Sequence, residues 1–374
     1  MARLTRAETQ ERTRARVLGA AREEFTEKGF RAAKIDAIAE RAELTRGAVY
    51  SNFPGKRALY FAVLADLAER APLRPAPAPE MGRTVSEALG ALARAWVARL
   101  PVDASTGQGG LDRIGEDLMP EILADEGLRR VCVQLIKVDA LLIALSVERI
   151  RPPGAPVRGA PPRRAVRLAE TVLTTLHGAS RMAAVAPGFV EPFDIVSACE
   201  RLAGLELDDW WAPPSAVVRV GDCDGPWSPP TVTDLVRGGI VRPVEDGVVA
   251  VLGLHRLSAI EEAVRAVPPG LAVTAVMVMD EPDELAPLAR LLVAELAGFV
   301  REAFPRSAWP RLRVVCDSTG AFAAAAGATS LGDDTELAVR ISEGRVVARA
   351  EGSGACHAAA SAALSPRLAV HHQM

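Results

Sequence analysis

Residues 29–64 read GFRAAKIDAIAERAELTRGAVYSNFPGKRALYFAVL, and this stretch decides the fold of the N-terminal region. Residues 34–42 have the apolar spacing of a short helix. Thr45 can cap the start of a second helix, and Pro54 stops that helix. Two short helices joined by a tight turn are typical of a helix-turn-helix, which we place at about residues 34–53.

The segment before this stretch is predicted to be a longer amphipathic helix. Residues 9–28 place apolar side chains on one face, and Gly29 stands where a helix C-cap is expected. The face is formed by Val17, Leu18, Ala21 and Phe25.

Charge is distributed unevenly along the 374 residues. Residues 1–60 hold 13 Lys and Arg against 8 Asp and Glu, whereas the whole chain has a net charge of −3. A basic N-terminal region on an acidic remainder is expected when one end meets a polyanion. An Arg-rich coding bias is the alternative explanation, so charge alone leaves nucleic-acid binding open.

Several residues of this region, at fixed offsets, resemble the DNA-binding domain of the TetR family of bacterial repressors. The resemblance runs from Thr9 to about Arg70 and implies a three-helix domain, residues 9–70, whose third helix enters the major groove of DNA. The residues that carry it are Gly29, Phe30, Ile38, Ala39, Ala42, Thr45, Gly47, Tyr50, Phe53, Lys56 and Leu59.

The resemblance also implies which side chains meet DNA. Lys34, Thr45, Tyr50 and Lys56 are expected to contact phosphate, and Arg46, Gly47 and Ala48 are expected to face the bases. Glu43 departs from the family, which usually has Gly in the turn; a non-Gly residue at positive φ costs about 1 kcal/mol. The full expected DNA-binding set is Lys34, Thr45, Arg46, Gly47, Ala48, Tyr50, Ser51, Asn52 and Lys56.

Residues 80–205 are predicted to be helical, after a proline-rich linker at Pro72–Pro79 and with a loop at Pro152–Pro162. The family resemblance implies that this body binds a small-molecule inducer and pairs with a second copy through residues 163–186 and 192–205. Four residues could form the dimer seam or could equally be ordinary core residues: Leu168, Val172, Leu176 and Met182. His177 is expected to be a core or pocket residue, since no metal-ligand spacing lies near it.

Residues 215–366 are predicted to form a third domain of α/β class. The expected order of elements is strand, helix, strand, long helix, strand, helix, hairpin, helix, which resembles a thioredoxin or peroxiredoxin fold. Asp317, Gly327 and the turn at residues 342–345 match that resemblance. The fold class is therefore multidomain, with an all-α N-terminal two-thirds followed by a thioredoxin-like domain.

The C-terminal region lacks the chemistry of that fold. A thiol oxidoreductase needs a reactive thiolate at the start of the helix after the first core strand, and Gly253–Val264 contains no Cys. His255 alone is a weak signal there, and none of Cys223, Cys316 and Cys356 lies in a C-x-x-C pair. We therefore expect no enzyme activity, no cofactor and no bound metal.

The sequence as a whole favours a ligand-responsive repressor. We expect a homodimer that binds a near-palindromic operator through the helix starting at Thr45. The alternatives are a redox-responsive regulator or thiol oxidoreductase using the C-terminal domain, and a module that docks a protein partner. The N-terminus has no apolar signal region, no stretch of about 20 apolar residues is present, and the five cysteines form no framework, so a soluble cytoplasmic protein without membrane contact is expected.

Overall fold

The computed structural model of the chain describes residues 5–70, 81–100, 115, 117–151, 164–207, 209, 211 and 218–362. The expected linker Pro72–Pro79 and loop Pro152–Pro162 lie outside these residues. The chain forms two compact units. Unit 1 contains residues 1–209 and 281–310, and unit 2 contains residues 210–280 and 311–374.

Unit 1 begins with four helices: α1 (Arg6–Ala32), α2 (Ile35–Arg41), α3 (Arg46–Tyr50) and α4 (Lys56–Arg70). Thr5 and Glu8 form a reciprocal capping box at the start of α1. The helix is interrupted at Gly29, whose φ of 72° lies in the left-handed region that glycine adopts without strain. The predicted C-cap at Gly29 is therefore a break near the end of α1.

Aromatic side chains form the centre of this four-helix head, residues 5–70. The ring of Tyr60 meets Phe25 edge-on at 5.4 Å and Phe30 at 4.6 Å. Ile38 and Val49 are buried in the same core, which joins α2 and α3 to α1 and α4. A helix as short as α3 is not stable alone, so burial of these apolar side chains supplies most of its stability.

The helical body that follows contains α5 (Val85–Val97), α6 (Leu118–Ala124), α7 (Glu126–Ile150), α8 (Val166–Val185) and α9 (Pro192–Leu202). The predicted helical character of residues 80–205 is confirmed for the described part of that range.

Unit 1 contains one more α-helix, which is far from the other helices of this unit in the sequence. Helix α11 (Pro282–Ala303) follows the second core strand of the C-terminal region, yet it packs within unit 1. Leu288 and Leu291 belong to the same core as Tyr60, and Phe299 stacks on Trp96 of α5 with ring centroids 4.9 Å apart. The region expected as the C-terminal domain therefore contributes a helix to the helical unit.

Of the two alternatives for the four residues on α8, dimer seam or core, the structure favours core for three. Leu168, Val172 and Leu176 are 0–3% exposed in the single chain and belong to its core, so they cannot face a second copy. Met182, further along α8, is 41% exposed. The helical spacing identified an apolar face without showing that the chain itself covers most of it.

Unit 2 is built on a mixed six-stranded sheet with strand order β1-β8-β7-β4-β5-β6. Strands β4, β5 and β6 are parallel, and β7, β8 and β1 follow antiparallel. A separate ribbon pairs β2 with β3. The strands are β1 (Gly221–Pro226), β2 (Val232–Thr233), β3 (Ile240–Val241), β4 (Gly247–Gly253), β5 (Ala272–Val278), β6 (Leu312–Cys316), β7 (Glu336–Ser342) and β8 (Arg345–Glu351).

Three short helices complete the described part of unit 2: α10 (Ile260–Ala266), α12 (Ala321–Ala325) and α13 (Ala355–Ser361). Phe322 of α12 packs with Val251 and Val276 on one face of the sheet. From β4 onward the elements follow the order expected from the sequence, whereas β1, β2 and β3 come before the first expected strand. The region is a mixed sheet with helices. No helix among the described residues is long and apolar enough to cross a membrane.

Candidate nucleic-acid interface

The turn between α2 and α3 adopts the backbone expected from the sequence. Glu43 has a φ of 50°, in the left-handed region that the family residue Gly would occupy without strain. Arg16 of α1 donates to the carbonyl oxygen of Ala42 and lies 3.3 Å from Oε2 of Glu43. Sequence reasoning missed Arg16, because its role depends on the packing of α1 against the turn.

Helix α3 is capped at both ends by its own side chains. Thr45 Oγ1 accepts a hydrogen bond from the backbone N–H of Ala48 at 3.2 Å, which confirms the predicted N-cap. At the other end, Ser51 Oγ and Asn52 Nδ2 both donate to the carbonyl oxygen of Ala48, at 2.9 and 2.8 Å. Ser51 and Asn52 therefore close the C-terminus of α3, and Arg14 of α1 donates to the carbonyl oxygen of Asn52.

The outer face of α3 presents a cationic and aromatic pair. The guanidinium of Arg46 lies 5.5 Å from the centre of the Tyr50 ring, and its Nη2 is 3.4 Å from the tyrosine hydroxyl. The hydrogen bond to Tyr50, followed by the charge of Asp36, raises the pKa of Arg46. Asp36 of α2 lies 3.4 Å from Nη1 of Arg46, so the free protein holds this side chain between two helices.

Gly47 leaves open space beside this pair. A Cβ atom built at Gly47 would meet only Thr45 Oγ1, at 3.9 Å, so packing among the described residues does not require a glycine here. An exposed residue without a side chain lets another molecule approach the backbone closely.

Lys34 stands at the N-cap of α2 with an exposed side chain that makes no cap hydrogen bond. Its backbone N–H donates to the buried carboxylate of Glu24, which also pairs with Lys28 at 2.9 Å and Arg41 at 3.1 Å. Burial raises the pKa of Glu24, but the hydrogen bonds and charges of its partners outweigh burial and lower it overall. This cluster fixes the start of α2 and leaves the Lys34 ammonium outside.

Lys56 is already engaged within the chain. Its Nζ donates to the carbonyl oxygens of Arg31 and Ala33 at 3.1 and 2.9 Å, at the end of α1, and lies 4.7 Å from the centre of the Phe30 ring. Burial lowers the pKa of Lys56, while Glu121 and Asp117 oppose that effect. Two of the three ammonium protons are thereby used, and one is left for an external acceptor.

Of the nine residues expected at DNA, six are exposed: Lys34, Thr45, Arg46, Gly47, Tyr50 and Ser51. Among these six, Ser51 donates a hydrogen bond to its own helix. The other three, Ala48, Asn52 and Lys56, are half-buried.

Residues 17–63 match the family described as bacterial regulatory proteins, tetR family. This segment is a TetR-family helix-turn-helix domain. Two similar relatives come from Pseudomonas putida: the HTH-type transcriptional regulator SrpR and the uncharacterized HTH-type transcriptional regulator TtgW. Each is 51% identical over 65 residues, which is 17% of this chain. The aligned part spans 30% of the length of SrpR and 48% of that of TtgW, so the chain covers less than half of these regulators.

Beyond the TetR-family domain the likeness to solved structures is weak. Salmonella enterica GusR superposes with a TM-score of 0.35 at 21% identity, over 55% of this chain and all of GusR. A TM-score this low does not establish a common fold for the helical body.

The helical body that follows the TetR-family domain contains two carboxyl groups with raised pKa values, the buried Asp139 and the half-buried Glu295. Asp139 of α7 is 6% exposed, and its Oδ1 accepts no hydrogen bond from the described residues. Burial, followed by the charge of Glu295 on α11, raises the pKa of Asp139 well above its usual range. Burial also raises the pKa of Glu295 to about 7, while Arg99 opposes that effect. Buried acids with strongly shifted pKa values are enriched at functional sites.

An aromatic cluster lies beside α11 in the same body. His177 of α8 meets Trp96 edge-on at 5.0 Å, and Phe299 stacks on the same indole. Trp96 Nε1 donates to Ser180 Oγ at 2.8 Å. Burial lowers the pKa of His177, and the half-buried ring packs against Trp96, which agrees with the expected core or pocket position. Among the described residues no three His, Cys, Asp or Glu side chains are placed to hold a metal ion.

Unit 2 has no thiol at the position where a thiol oxidoreductase would need one, since residues 253–264 contain no Cys. Strand β4 ends at Gly253, and His255 follows with Nδ1 3.5 Å from Oδ1 of Asp334.

Three of the five cysteines are buried in the structure. Burial raises the pKa of Cys132 and Cys199 to about 11. The pKa of Cys356 is raised well above its usual range for the same reason. These three thiols are protonated at neutral pH and hence weak nucleophiles.

Proposed function

We propose that this chain is a transcriptional regulator that binds double-stranded DNA through α3. The supporting observation is the outer face of that helix, where Arg46, Gly47 and Tyr50 are exposed together and packing among the described residues does not require the glycine. Arg can donate two parallel hydrogen bonds to guanine in the major groove, and Tyr can reach a phosphate. Lys34, Thr45 and the remaining proton of Lys56 would add phosphate contacts around that face.

We further propose that the regulator is a homodimer on a near-palindromic operator. The support is an apolar surface at the end of α8 and the start of α9, where large side chains face solvent in the single chain. They are Met182, Val185, Phe189 and Phe193, exposed by 41%, 79%, 72% and 73%. Exposed apolar side chains grouped in this way mark interaction surfaces, and a two-fold dimer pairs the same surface with itself.

The proposed regulator is a repressor whose DNA affinity a small-molecule inducer lowers. The helical body offers polar groups for such a ligand in the buried Asp139 and the half-buried Glu295, whose carboxyl groups have raised pKa values. An inducer acts if it binds the two conformations of the body unequally, since only differential affinity shifts an equilibrium.

The C-terminal sheet is proposed to be a thioredoxin-like domain that has lost its reactive thiol and serves as a binding module. Its order of elements supports that proposal, and the residues after β4 argue against redox catalysis. A redox-responsive regulator or thiol oxidoreductase is not favoured, because three of the five cysteines are buried as thiols.

The experiment that tests the proposed function is selection of duplexes from a random-sequence DNA library with the full-length protein. We expect enrichment of a motif with two inverted half-sites separated by about one helical turn. Recovery of random duplexes only, with no enriched motif, would refute sequence-specific DNA binding. An enriched motif without two-fold symmetry would instead refute the homodimer.

A further inference from the structure

Helix α11 lies in unit 1, although the strands before and after it in the chain lie in unit 2. It is joined at both ends to neighbouring parallel strands of unit 2, since β5 precedes it and β6 follows it. Its own packing, however, is within unit 1. The chain therefore continues from β5 into α11, which is part of unit 1, and then into the neighbouring strand β6.

Within unit 1, α11 contacts the helix that begins directly after the helix-turn-helix. Leu288 and Leu291 are buried, at 0% and 1% exposure, in the core that also contains Val17 of α1 and Tyr60 of α4. Arg290 Nε of α11 lies 3.3 Å from Oε1 of Glu69, near the end of α4. The position of α4 therefore depends on α11.

The first turn of α4 is held by a charged cluster with members from three helices. Arg57 Nε donates to Oε1 of Glu284 on α11 at 2.6 Å, and Arg57 Nη1 donates to Oδ2 of Asp125, the N-cap of α7, at 2.9 Å. The side chain of Glu284 is only 17% exposed and that of Arg57 is 35% exposed. A charge-assisted pair that is partly shielded from water fixes geometry more firmly than a pair at the open surface.

The other end of the segment is fixed as well. The carbonyl oxygen of Ala303 accepts a hydrogen bond from the backbone N–H of Gly82, and Arg149 of α7 donates to the carbonyl oxygen of Ser307 at 2.9 and 2.6 Å. Residues 281–310 thus contact the rest of unit 1 near both ends of the segment. Packed elements with defined contacts can carry energetic coupling between distant sites.

We propose that α11 couples the C-terminal unit to DNA binding, with Glu284 as the positioning residue that sets α4 through Arg57. The proposal rests on the proposed function for the head and adds a role for unit 2. A ligand or protein that binds unit 2 and shifts the ends of β5 and β6 displaces α11, and the Glu284–Arg57 pair passes that displacement to the start of α4. Coupling of this kind is reciprocal, so DNA bound at α3 must also affect β5 and β6.

The test uses full-length protein and an operator duplex obtained by selection from the random-sequence library. Glu284→Gln keeps the size of the side chain and removes its charge. We expect it to weaken specific DNA binding by about 5- to 10-fold, the lower part of the range typical of allosteric coupling. Glu284→Asp, which keeps the charge, should recover part of that affinity.

Glu302→Gln is the matched control. Glu302 lies on the same helix and pairs with Arg99 at 3.9 Å instead of with α4. Glu302→Gln should leave operator affinity within about 2-fold of the wild type, because an ion pair near the surface contributes little free energy. Equal affinities of the Glu284→Gln and Glu302→Gln proteins would overturn the role of Glu284.

Hydrogen exchange provides a readout that a purely structural role would not change. Operator duplex should slow amide exchange in the wild type at β5 and β6 as well as in the head, and this distant protection should shrink in the Glu284→Gln protein. Protection confined to the head would overturn the coupling. If selection yields no operator, the proposed function fails by itself. Faster exchange of residues 56–70 in free Glu284→Gln, but not in Glu302→Gln, would then still support the positioning role, and equal exchange would refute it.

Discussion

Arg57 and Glu284 are 227 positions apart in the chain, and Arg57 Nε donates a hydrogen bond to Glu284 Oε1 at 2.6 Å. This pair joins the first turn after the helix-turn-helix to a helix encoded between two strands of the C-terminal sheet. A helical unit without residues 281–310 would leave the apolar surface under Leu288 and Leu291 uncovered. The C-terminal region is therefore part of the architecture that holds α4.

Base recognition by Arg46 is the first prediction. Arg46→Ala should reduce discrimination at one or two base pairs of each half-site, by roughly 1–3 kcal/mol if the hydrogen bonding is bidentate. Anisotropy titrations of the selected operator and of single-base variants would measure it. Arg22→Ala, an exposed arginine on α1, is the control and should change neither affinity nor discrimination. An equal decrease in affinity for operator and random DNA would mean that Arg46 contacts only phosphate.

Phosphate binding by Lys56 has a different signature, in the salt dependence of DNA affinity. Lys56→Ala should weaken binding to all sequences alike and lower the slope of log affinity against log salt by roughly 0.9 for each phosphate that the protein no longer neutralises. The same change removes two hydrogen bonds to the end of α1, so melting should be recorded beside the titrations. A lower melting temperature with an unchanged slope would show that Lys56 only stabilises α1.

Dimerisation through the exposed surface at α8 and α9 is tested at Phe193. Phe193→Glu places a charge in the proposed interface, and burying an unpaired charge costs several kcal/mol, so a monomer is expected. Sedimentation velocity measures the change, with Val133→Glu on the exposed side of α7 as the control. A Phe193→Glu protein that sediments like the wild type would move the interface elsewhere. A substitution of Leu176 would instead test folding, because this side chain is buried in the single chain.

The stability of the body should depend on pH through Glu295. Its pKa is about 7 in the folded chain and about 4.3 in an unfolded chain, so the unfolded form releases its proton first as pH rises. The contribution of the protonated group is complete below about pH 4 and is lost as pH rises through about 7. Glu295→Gln should remove this part of the decrease in the free energy of unfolding with rising pH. Urea unfolding at about pH 5 and about pH 8 checks it, with Glu302→Gln as the control; parallel pH profiles for wild type and Glu295→Gln would contradict the assignment.

The buried thiols should be inert in the native protein. Cys132, Cys199 and Cys356 have raised pKa values because they are desolvated, so a thiol reagent at neutral pH should modify them only after unfolding. Thiol counting on native and denatured protein, before and after brief mixing with hydrogen peroxide, measures this. Rapid stoichiometric loss of one thiol together with loss of DNA binding would make the protein a redox sensor.

The sequence by itself determined the helix-turn-helix, because its signals are local. The cap at Thr45 and the apolar spacing of residues 34–42 act within a few residues of one another, and both are present in the structure. The helix ends at Tyr50, earlier than the predicted stop at Pro54. The positive φ at Glu43 was also foreseeable from the turn it occupies. The order of strands and helices from β4 onward followed from the same kind of short-range pattern, but β1, β2 and β3 did not.

Only the tertiary structure decided which of these elements meet. The sequence predicted a long helix at α11, but helical spacing does not specify its partner, and this helix packs against α4 within unit 1. The same ambiguity left Leu168, Val172 and Leu176 open between a dimer seam and the core, and the chain buries them itself. Pairings such as Arg57 with Glu284 cannot be predicted from local sequence patterns, because they depend on which surfaces of distant segments pack together.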